Sequence, residues 1–507
     1  MTPGRLPRLD PALAATTGTS TAPPTSASGV TAEQSRVIWL LLIAAFVAIL
    51  NETTMNVAIP FLIRDLGITA VAAQWLTTAF MLTMAVVIPI TGFLLQRFTT
   101  RQVFVAAMTL FSAGTLVAFL SPGFELLVVA RVIQASGTAI MLPLLMTTIM
   151  TIVPPQQRGR MMGRVSIVMA LAPAIGPTMS GLVLQSLGWH WIFGIVLPIA
   201  LVALFVGARW IHNLGETRKA PIDVLSVILS AFGFGGLVFG LSQIGGGHGA
   251  GADAAAAQSA STVTLVVSLV VGVAGLTLFV LRQLRLQKGG TALLDLRVFR
   301  SLNFSLSVTQ LGVMSLAFFG AITLLPLYLQ NVLDKTPLET GLAVLPGSLA
   351  MGLAGPLIGR LYDRFGTQVL LVPGAVITSG TLWFYSTVGT DTSFVLLIVA
   401  QTVLSIGLAL SFTPLFTASL GSVAPQFYSY GSAVVGTVQQ VAGAAGIALL
   451  VTVMSSVSAS HGGGLEADAA GARMAFMIAA IVSLPLIVGA FLIRKPADQI
   501  DGVPLAH

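Results

Sequence analysis

Cysteine is absent from this chain of 507 residues. Disulfides, Cys-ligated zinc and iron–sulfur clusters are thereby excluded, and cysteine content says nothing about redox compartment. Charge is scarce as well. Only 8% of the residues are Asp, Glu, Lys or Arg, against about 25% in a typical soluble domain. A chain of this length would ordinarily form about three soluble domains, but this one has too little charge to cover their surfaces. Its five histidines (His190, His212, His248, His461 and His507) are scattered and never take the HExxH spacing of a zinc site. The GxxxxGK[ST] phosphate loop is missing, which excludes a Walker-type ATPase within the chain. What is abundant is apolar: 55% of the residues are hydrophobic, which excludes collagen-like and disordered chains. The solvent of this protein is mostly lipid.

Residues 1–36 are rich in Thr, Ser, Pro and Ala and read as a disordered cytoplasmic tail. They do not form a signal peptide, because the apolar run that follows is too long and lacks a small-residue cleavage site. Crossing about 30 Å of hydrocarbon takes roughly 20 helical residues. Fourteen runs meet that length: 37–62, 72–95, 102–121, 124–150, 161–186, 190–212, 222–244, 262–284, 304–330, 338–359, 368–388, 392–420, 430–455 and 472–493. The Gly/Ala/Ser-rich stretch from Gly245 to Ser261 is expected to be a flexible outer loop.

The net charge of +7 reports topology, not affinity for nucleic acid. With the N-terminus in the cytoplasm, 20 of the 24 Lys and Arg residues fall in cytoplasmic segments. Arg64, Lys335 and Arg473 fall outside, and Arg131 lies within a span. The positive-inside rule and the even number of spans both place the two termini in the cytoplasm.

An internal repeat divides the chain. Gly92-Phe-Leu-Leu-Gln96-Arg97-Phe98-Thr-Thr100-Arg101 matches Gly359-Arg-Leu-Tyr-Asp363-Arg364-Phe365-Gly-Thr367-Gln368. At nearly the same offset, Ile59-Pro60-Phe61-Leu62 meets Leu325-Pro326-Leu327-Tyr328. The domain reading is a tail over 1–36, a six-helix bundle over 37–212, two inserted helices with linkers over 213–303, a second six-helix bundle over 304–493 and a tail over 494–507. Parallel repeats around a midplane site mark one large transporter architecture.

Over roughly residues 37–493 the chain resembles the major facilitator superfamily, and within it the fourteen-helix drug:proton antiporters. GFLLQRFTTR at 92–101 is similar to the family's G-x-x-x-D-R-x-G-R-[KR] loop, with Gln96 in the usual Asp position. The second copy keeps Asp363 and Arg364. The resemblance implies that these loops lock one orientation through charge pairing and helix-end contacts, and that Gln96 weakens the first lock. ARVIQASGTA at 130–139 looks like R-x-x-Q-G-x-G, which assigns Arg131 and Gln134 to it. ALAPAIGPTMSG at 170–181 resembles the antiporter signature of exporters, G-x-x-x-G-P-x-x-G-G, with Ala172 and Ser180 in place of two glycines. Pro173 and Pro177 are expected to kink this helix, and Gly176 and Gly181 to admit a close neighbour. LGWHWIFGIVLP at 187–198 is similar to a Trp-rich stretch of the same branch, and Trp189 and Trp191 suit an interfacial belt. LNETTMNVAIPFL at 50–62 resembles L-D-x-T-[IV]-[VL]-N-x-A-[LI]-P, with Asn51 at the Asp position and Glu52 one residue later. That shift rotates the acid by about 100° around the helix.

Of seventeen acids, Glu52 alone lies well inside a span. An ionisable group at that depth is a functional candidate by default. Arg131 sits seven residues into its helix, roughly 10 Å deep, and a direct or water-mediated Glu52–Arg131 pair is expected. Asn51, Asn56 and Gln134 extend the polar path, while Gln310 and Gln440 either contact substrate or bridge helices. The expectation is an all-α polytopic protein of the cytoplasmic membrane that exports small amphipathic or cationic drugs by proton antiport. A dedicated exporter of one metabolite, antibiotic or lipid is the alternative. No enzymatic chemistry, metal or cofactor is implied, since the proton gradient supplies the energy. Its partners would be a small-molecule substrate, protons and the bilayer, with no nucleic acid, and the chain would act as a monomer.

Overall fold

The computed structural model describes residues 31–211, 223–244 and 254–496. In lipid a backbone must satisfy its own polar groups, which an α-helix does within one segment. The described residues accordingly form long helices and no strands. They are α1 (Ala32–Leu66), α2 (Ala70–Arg97), α3 (Thr100–Phe119), α4 (Phe124–Ile152), α5 (Arg158–Ser186) and α6 (His190–Trp210). Next comes α7, which runs through Val224–Ser230, a π-helical turn at Ala231–Gly235, and Gly236–Ile244. The remainder are α8 (Ala254–Leu286), α9 (Leu302–Asn331), α10 (Pro337–Phe365), α11 (Gln368–Tyr385), α12 (Phe394–Gly421), α13 (Tyr428–Ser460) and α14 (Leu465–Leu492). All fourteen are long and apolar enough to cross a membrane.

Local chemistry starts and stops them. Thr31 with Gln34, Thr99 with Gln102 and Thr336 with Glu339 form reciprocal capping boxes that satisfy otherwise orphaned N–H groups. The first box starts α1 at Ala32, so residues 32–36 belong to a helix and not to the expected tail. Gly67, at φ 61°, ends α1 in the left-handed conformation that glycine adopts without penalty. Of the expected outer loop, 245–253 lies outside the described residues, and α8 already occupies the chain from Ala254. The tails at 1–30 and 497–507 also lie outside them.

Helices α1–α6 pack together, as do α9–α14, and α7 pairs with α8. The α7–α8 pair rests on α2 and α13. Glycines make that pair tight: a Cβ at Gly236 would lie 2.9 Å from the Gly272 backbone. Arg282 clamps Asp223 through two hydrogen bonds of 2.6 and 2.8 Å. Those bonds hold the Asp223 carboxyl below the usual carboxylate range. Gln283, fully buried, donates to Ser226 and accepts from the backbone N–H groups of Leu293 and Leu294. The linker after α8 is thereby tied to the hairpin.

The two six-helix groups meet most closely at the end that carries Arg97, Arg158, Arg160 and Arg364, here called the basic end. Along α5 and α10, Gly159 and Gly163 face Gly355 and Gly359 backbone to backbone. A Cβ at Gly163 would lie 2.2 Å from the Gly355 carbonyl oxygen, and one at Gly359 would lie 2.1 Å from that of Gly159. Small residues permit such an approach. On the other seam, Gly92 of α2 packs on Tyr430 and Ala433 of α13.

Candidate functional site

The antiporter-like stretch of α5 lies against α1 beside Glu52. A Cβ at Gly176 would come within 2.3 Å of the Thr53 hydroxyl, so glycine is what brings the helices together here. One turn along, Ser180 donates a 2.9 Å hydrogen bond to the Thr54 carbonyl oxygen. Gly181 does not have its expected role, because a Cβ there would meet nothing within 4 Å. Its neighbour Ser180, which stands in one of the family's glycine positions, makes the contact instead. Pro173 lies within the continuous helix Arg158–Ser186. The side chains of Pro177 and Asn56 lie outside the described residues.

Glu52 is half-buried, and among the charged groups of the described residues Arg131 acts on it through space. Arg131 is itself 1% exposed. Its guanidinium stacks 4.0 Å from the centre of the Phe80 ring, and Nη1 donates a 2.7 Å hydrogen bond to Gln134 Oε1. The Nε group reaches the Leu76 carbonyl oxygen at 3.5 Å. Among the described residues no hydrogen bond or ion pair joins Arg131 to Glu52. Of the expected direct or water-mediated pair, the direct form is not made: the arginine turns toward Gln134 and Phe80, which satisfy a donor and the cation face without the carboxylate. Asn51 is wholly buried next to Glu52, and neither of its amide atoms has a partner among the described residues.

For Gln310 the structure shows the second of the two expected roles. It donates a 2.5 Å hydrogen bond to the Leu486 carbonyl oxygen and fills the space beside Gly489. It bridges α9 and α14 within their own bundle. Gln440 stands differently. Ser429, Ser432 and Gly436 form one stripe of α13 that touches Gln96, Thr147 and Ile88 of the other bundle. Gln440, one turn beyond and half-buried, continues that stripe.

At the basic end Asp363 accepts hydrogen bonds of 2.8 Å from the N–H groups of Gly159 and Arg160. A carboxylate at a helix N-terminus meets free donors and the positive end of the helix dipole. Gln96, its counterpart in the repeat, reaches the start of α13. Its Nε2 donates to the Gln426 carbonyl oxygen at 2.8 Å and to Ser429 Oγ at 3.1 Å. The helix-end contacts expected from the loops are thus present. The expected charge pairing is not: among the described residues Arg97, Arg101 and Arg364 form no ion pair, and Arg97 and Arg364 lie over Phe98 and Phe365. A neutral amide at 96 still binds because it donates where Asp363 accepts.

Sequence reasoning missed several cross-seam groups. Buried Arg158 donates to the carbonyl oxygens of Met150 and Val153 and to the Tyr428 hydroxyl. Ser166 and Thr413 share a 2.7 Å hydrogen bond. Among the described residues, the side-chain hydrogen bonds between the two bundles all lie in the basic half, so this is a state closed at that end. Trp189 also departs from expectation. It is buried and donates to Asp65 at 2.7 Å, whereas Trp191 is exposed, as a belt residue would be.

The family model described as Major Facilitator Superfamily matches residues 41–447. This chain belongs to the major facilitator superfamily. It is 41% identical over 465 residues to the lincomycin resistance protein LmrB of Bacillus subtilis, covering 90% of this chain and 95% of that protein. It is 29% identical over 422 residues to the multidrug resistance protein B homolog of Mycobacterium tuberculosis, covering 83% and 76%. Among solved structures, the human organic anion transporter MFSD10 (TETRAN) aligns with a TM-score of 0.65 at 13% identity, over 90% of this chain and 99% of that one. That likeness concerns the fold. For a major facilitator chain with fourteen apolar helices, the membrane is the setting and a small molecule is the substrate.

Proposed function

We propose that this chain exports small amphipathic or cationic drugs across the cytoplasmic membrane in exchange for protons, with the basic end and both termini in the cytoplasm. The single observation that carries the reading is Glu52, a half-buried acid at membrane depth that, among the described residues, forms no ion pair with Arg131 or any other cation. An ionisable group at membrane depth is a candidate proton carrier by default. The same group, freed of its proton, offers a partner to a cationic or polar substrate. One group that binds either a proton or substrate, but not both, couples the two flows. Glu52 takes a proton from outside while the basic end is closed, and releases it once the seams at α5/α10 and α2/α13 have parted. The names of the relatives, lincomycin resistance and multidrug resistance, support export of drugs. The antiporter-like stretch packed on α1 supports the direction. Gln134 and Gln440 line the polar path, and the chain works as a monomer without a cofactor.

The test is Glu52→Gln in cells and in proteoliposomes. Proton-driven drug efflux is expected to fall to the level of membranes without the protein, with expression unchanged. Efflux against a gradient at the wild-type rate would overturn the assignment.

A further inference from the structure

Thr115 lies on α3, well beyond the loop motif that ends at Arg101, and is fully buried. Its hydroxyl donates a 2.7 Å hydrogen bond to the Phe111 carbonyl oxygen of the preceding turn. A hydroxyl has one proton and two lone pairs. Once that proton is committed, the oxygen can only accept, and it accepts from Gln134 Nε2 at 2.8 Å. The orientation of the Gln134 amide follows. Its NH2 must face Thr115, so Oε1 faces Arg131 and receives Nη1 at 2.7 Å. The reverse orientation would set NH2 against a guanidinium that only donates, and a carbonyl against an oxygen with no proton to give.

The backbone is built for this reach. A Cβ at Gly114 would lie 2.5 Å from the Gln134 nitrogen, and one at Gly137 would lie 2.4 Å from the Ala107 carbonyl oxygen. The two glycines bring α3 and α4 together on either side of the Thr115–Gln134 bond. Phe80 backs the guanidinium at 4.0 Å. Arg131 is thus held by α3 and α2, and it meets Glu52 only through space. The other titratable or charged side chains of the surrounding helices sit near helix ends: Glu33, Arg36, Arg64 and Asp65 of α1, Arg97 of α2, Arg101 of α3, Glu125 of α4, Arg158, Arg160 and Arg164 of α5, and His190 and Arg209 of α6.

We infer that Thr115 is a positioning residue for the proton site: through Gln134 it holds Arg131 away from a direct pair with Glu52, and so sets the pH at which protons and substrate exchange. This inference rests on the proposed antiport role of Glu52. Freed from Gln134, the guanidinium can turn to the carboxylate. An opposite charge brought into contact favours the ionised carboxyl, by roughly 1–3 pH units in direct pairs.

The experiment uses the full chain in detergent and follows the pH dependence of proton release when a hydrophobic fluorescent cation is added as probe substrate. Thr115→Val keeps the shape and loses the acceptor, and its midpoint is expected to move toward acid by about one pH unit. Thr115→Ser keeps the hydroxyl and should restore the wild-type midpoint. If Thr115→Val fails to fold, Gln134→Met should give the same acid shift by removing the next link. An unshifted midpoint in a folded variant, or a loss of amplitude without a shift, overturns the inference. Glu52→Gln is run alongside. Proton release that survives it refutes the antiport role of Glu52, whereas release abolished in Glu52→Gln but unshifted in Thr115→Val refutes only the role of Thr115.

Discussion

Arg131 is a cation buried to 1% exposure. A centrally placed arginine costs about 2.5–3.5 kcal/mol on insertion scales. Here a planar cation is stacked on Phe80 and hydrogen-bonded in-plane to Gln134. Both contacts depend on the flat fork of a guanidinium, which a lysine ammonium lacks. Arg131→Lys is therefore expected to reduce transport efficiency roughly tenfold or more, the loss of one hydrogen bond to a charged group being worth ~1.5–3 kcal/mol. Drug-efflux rates at matched expression check this, and wild-type rates would show that charge alone suffices. At this scale the sequence was partly legible. The R-x-x-Q spacing pointed to Arg131 and Gln134 because residues three apart share a helix face. Thr115 and Phe80 lie on other helices, and no local spacing could nominate them.

Between elements, the α5/α10 crossing decides whether the basic end can shut. Two glycines four residues apart on each helix let the backbones touch, with Gly163 against Gly355 and Gly159 against Gly359. Gly163→Ala places a methyl group where a carbonyl oxygen now sits, an overpacking cost of about 1–3 kcal/mol. The penalty falls only on the state closed at the basic end. The variant is expected to favour the state open there by roughly tenfold, since ~1.4 kcal/mol is one decade in an equilibrium constant. Labelling of a single cysteine introduced into the basic half of α5, in a chain that has none of its own, reports the shift. Unchanged labelling would mean the seam tolerates the methyl group. The G-x-x-x-G spacings at 159–163 and 355–359 are visible in the sequence, but that they meet each other is not.

Across the whole molecule, the repeat sets two unequal latches at the basic end. Asp363 caps α5 with a carboxylate, while Gln96 reaches α13 with an amide. The short 3-10 turns that precede α5 and α13, Pro155–Gln157 and Pro425–Phe427, place both helix starts alike. An aspartate at 96 would meet the free N–H groups at the start of α13, as Asp363 meets those of α5. A charge there is worth about 0.3–1 kcal/mol. Gln96→Asp is expected to deepen the state closed at the basic end by a few fold and to slow turnover. The readout is reduced labelling of a cysteine on the basic side, together with slower efflux. Faster labelling would mean that the bonds lost from Gln426 and Ser429 outweigh the new cap.

Composition and periodicity by themselves determined the membrane setting, the fourteen helices and their approximate ends, because a span in lipid is a local property of about twenty residues and its caps. The sequence also singled out Glu52 and Arg131, since an ionisable group in an apolar run stands out without any fold. Tertiary structure alone decided which polar group Arg131 bonds, that Gln310 bridges α9 and α14, that Ser180 and not Gly181 pins α5 to α1, and which end of the molecule is shut. Each of those depends on the rotation of one helix about its axis relative to another. In lipid, where every outward face is apolar, hydrophobic patterning leaves that rotation unspecified, and only small-residue contacts and buried hydrogen bonds between helices select it.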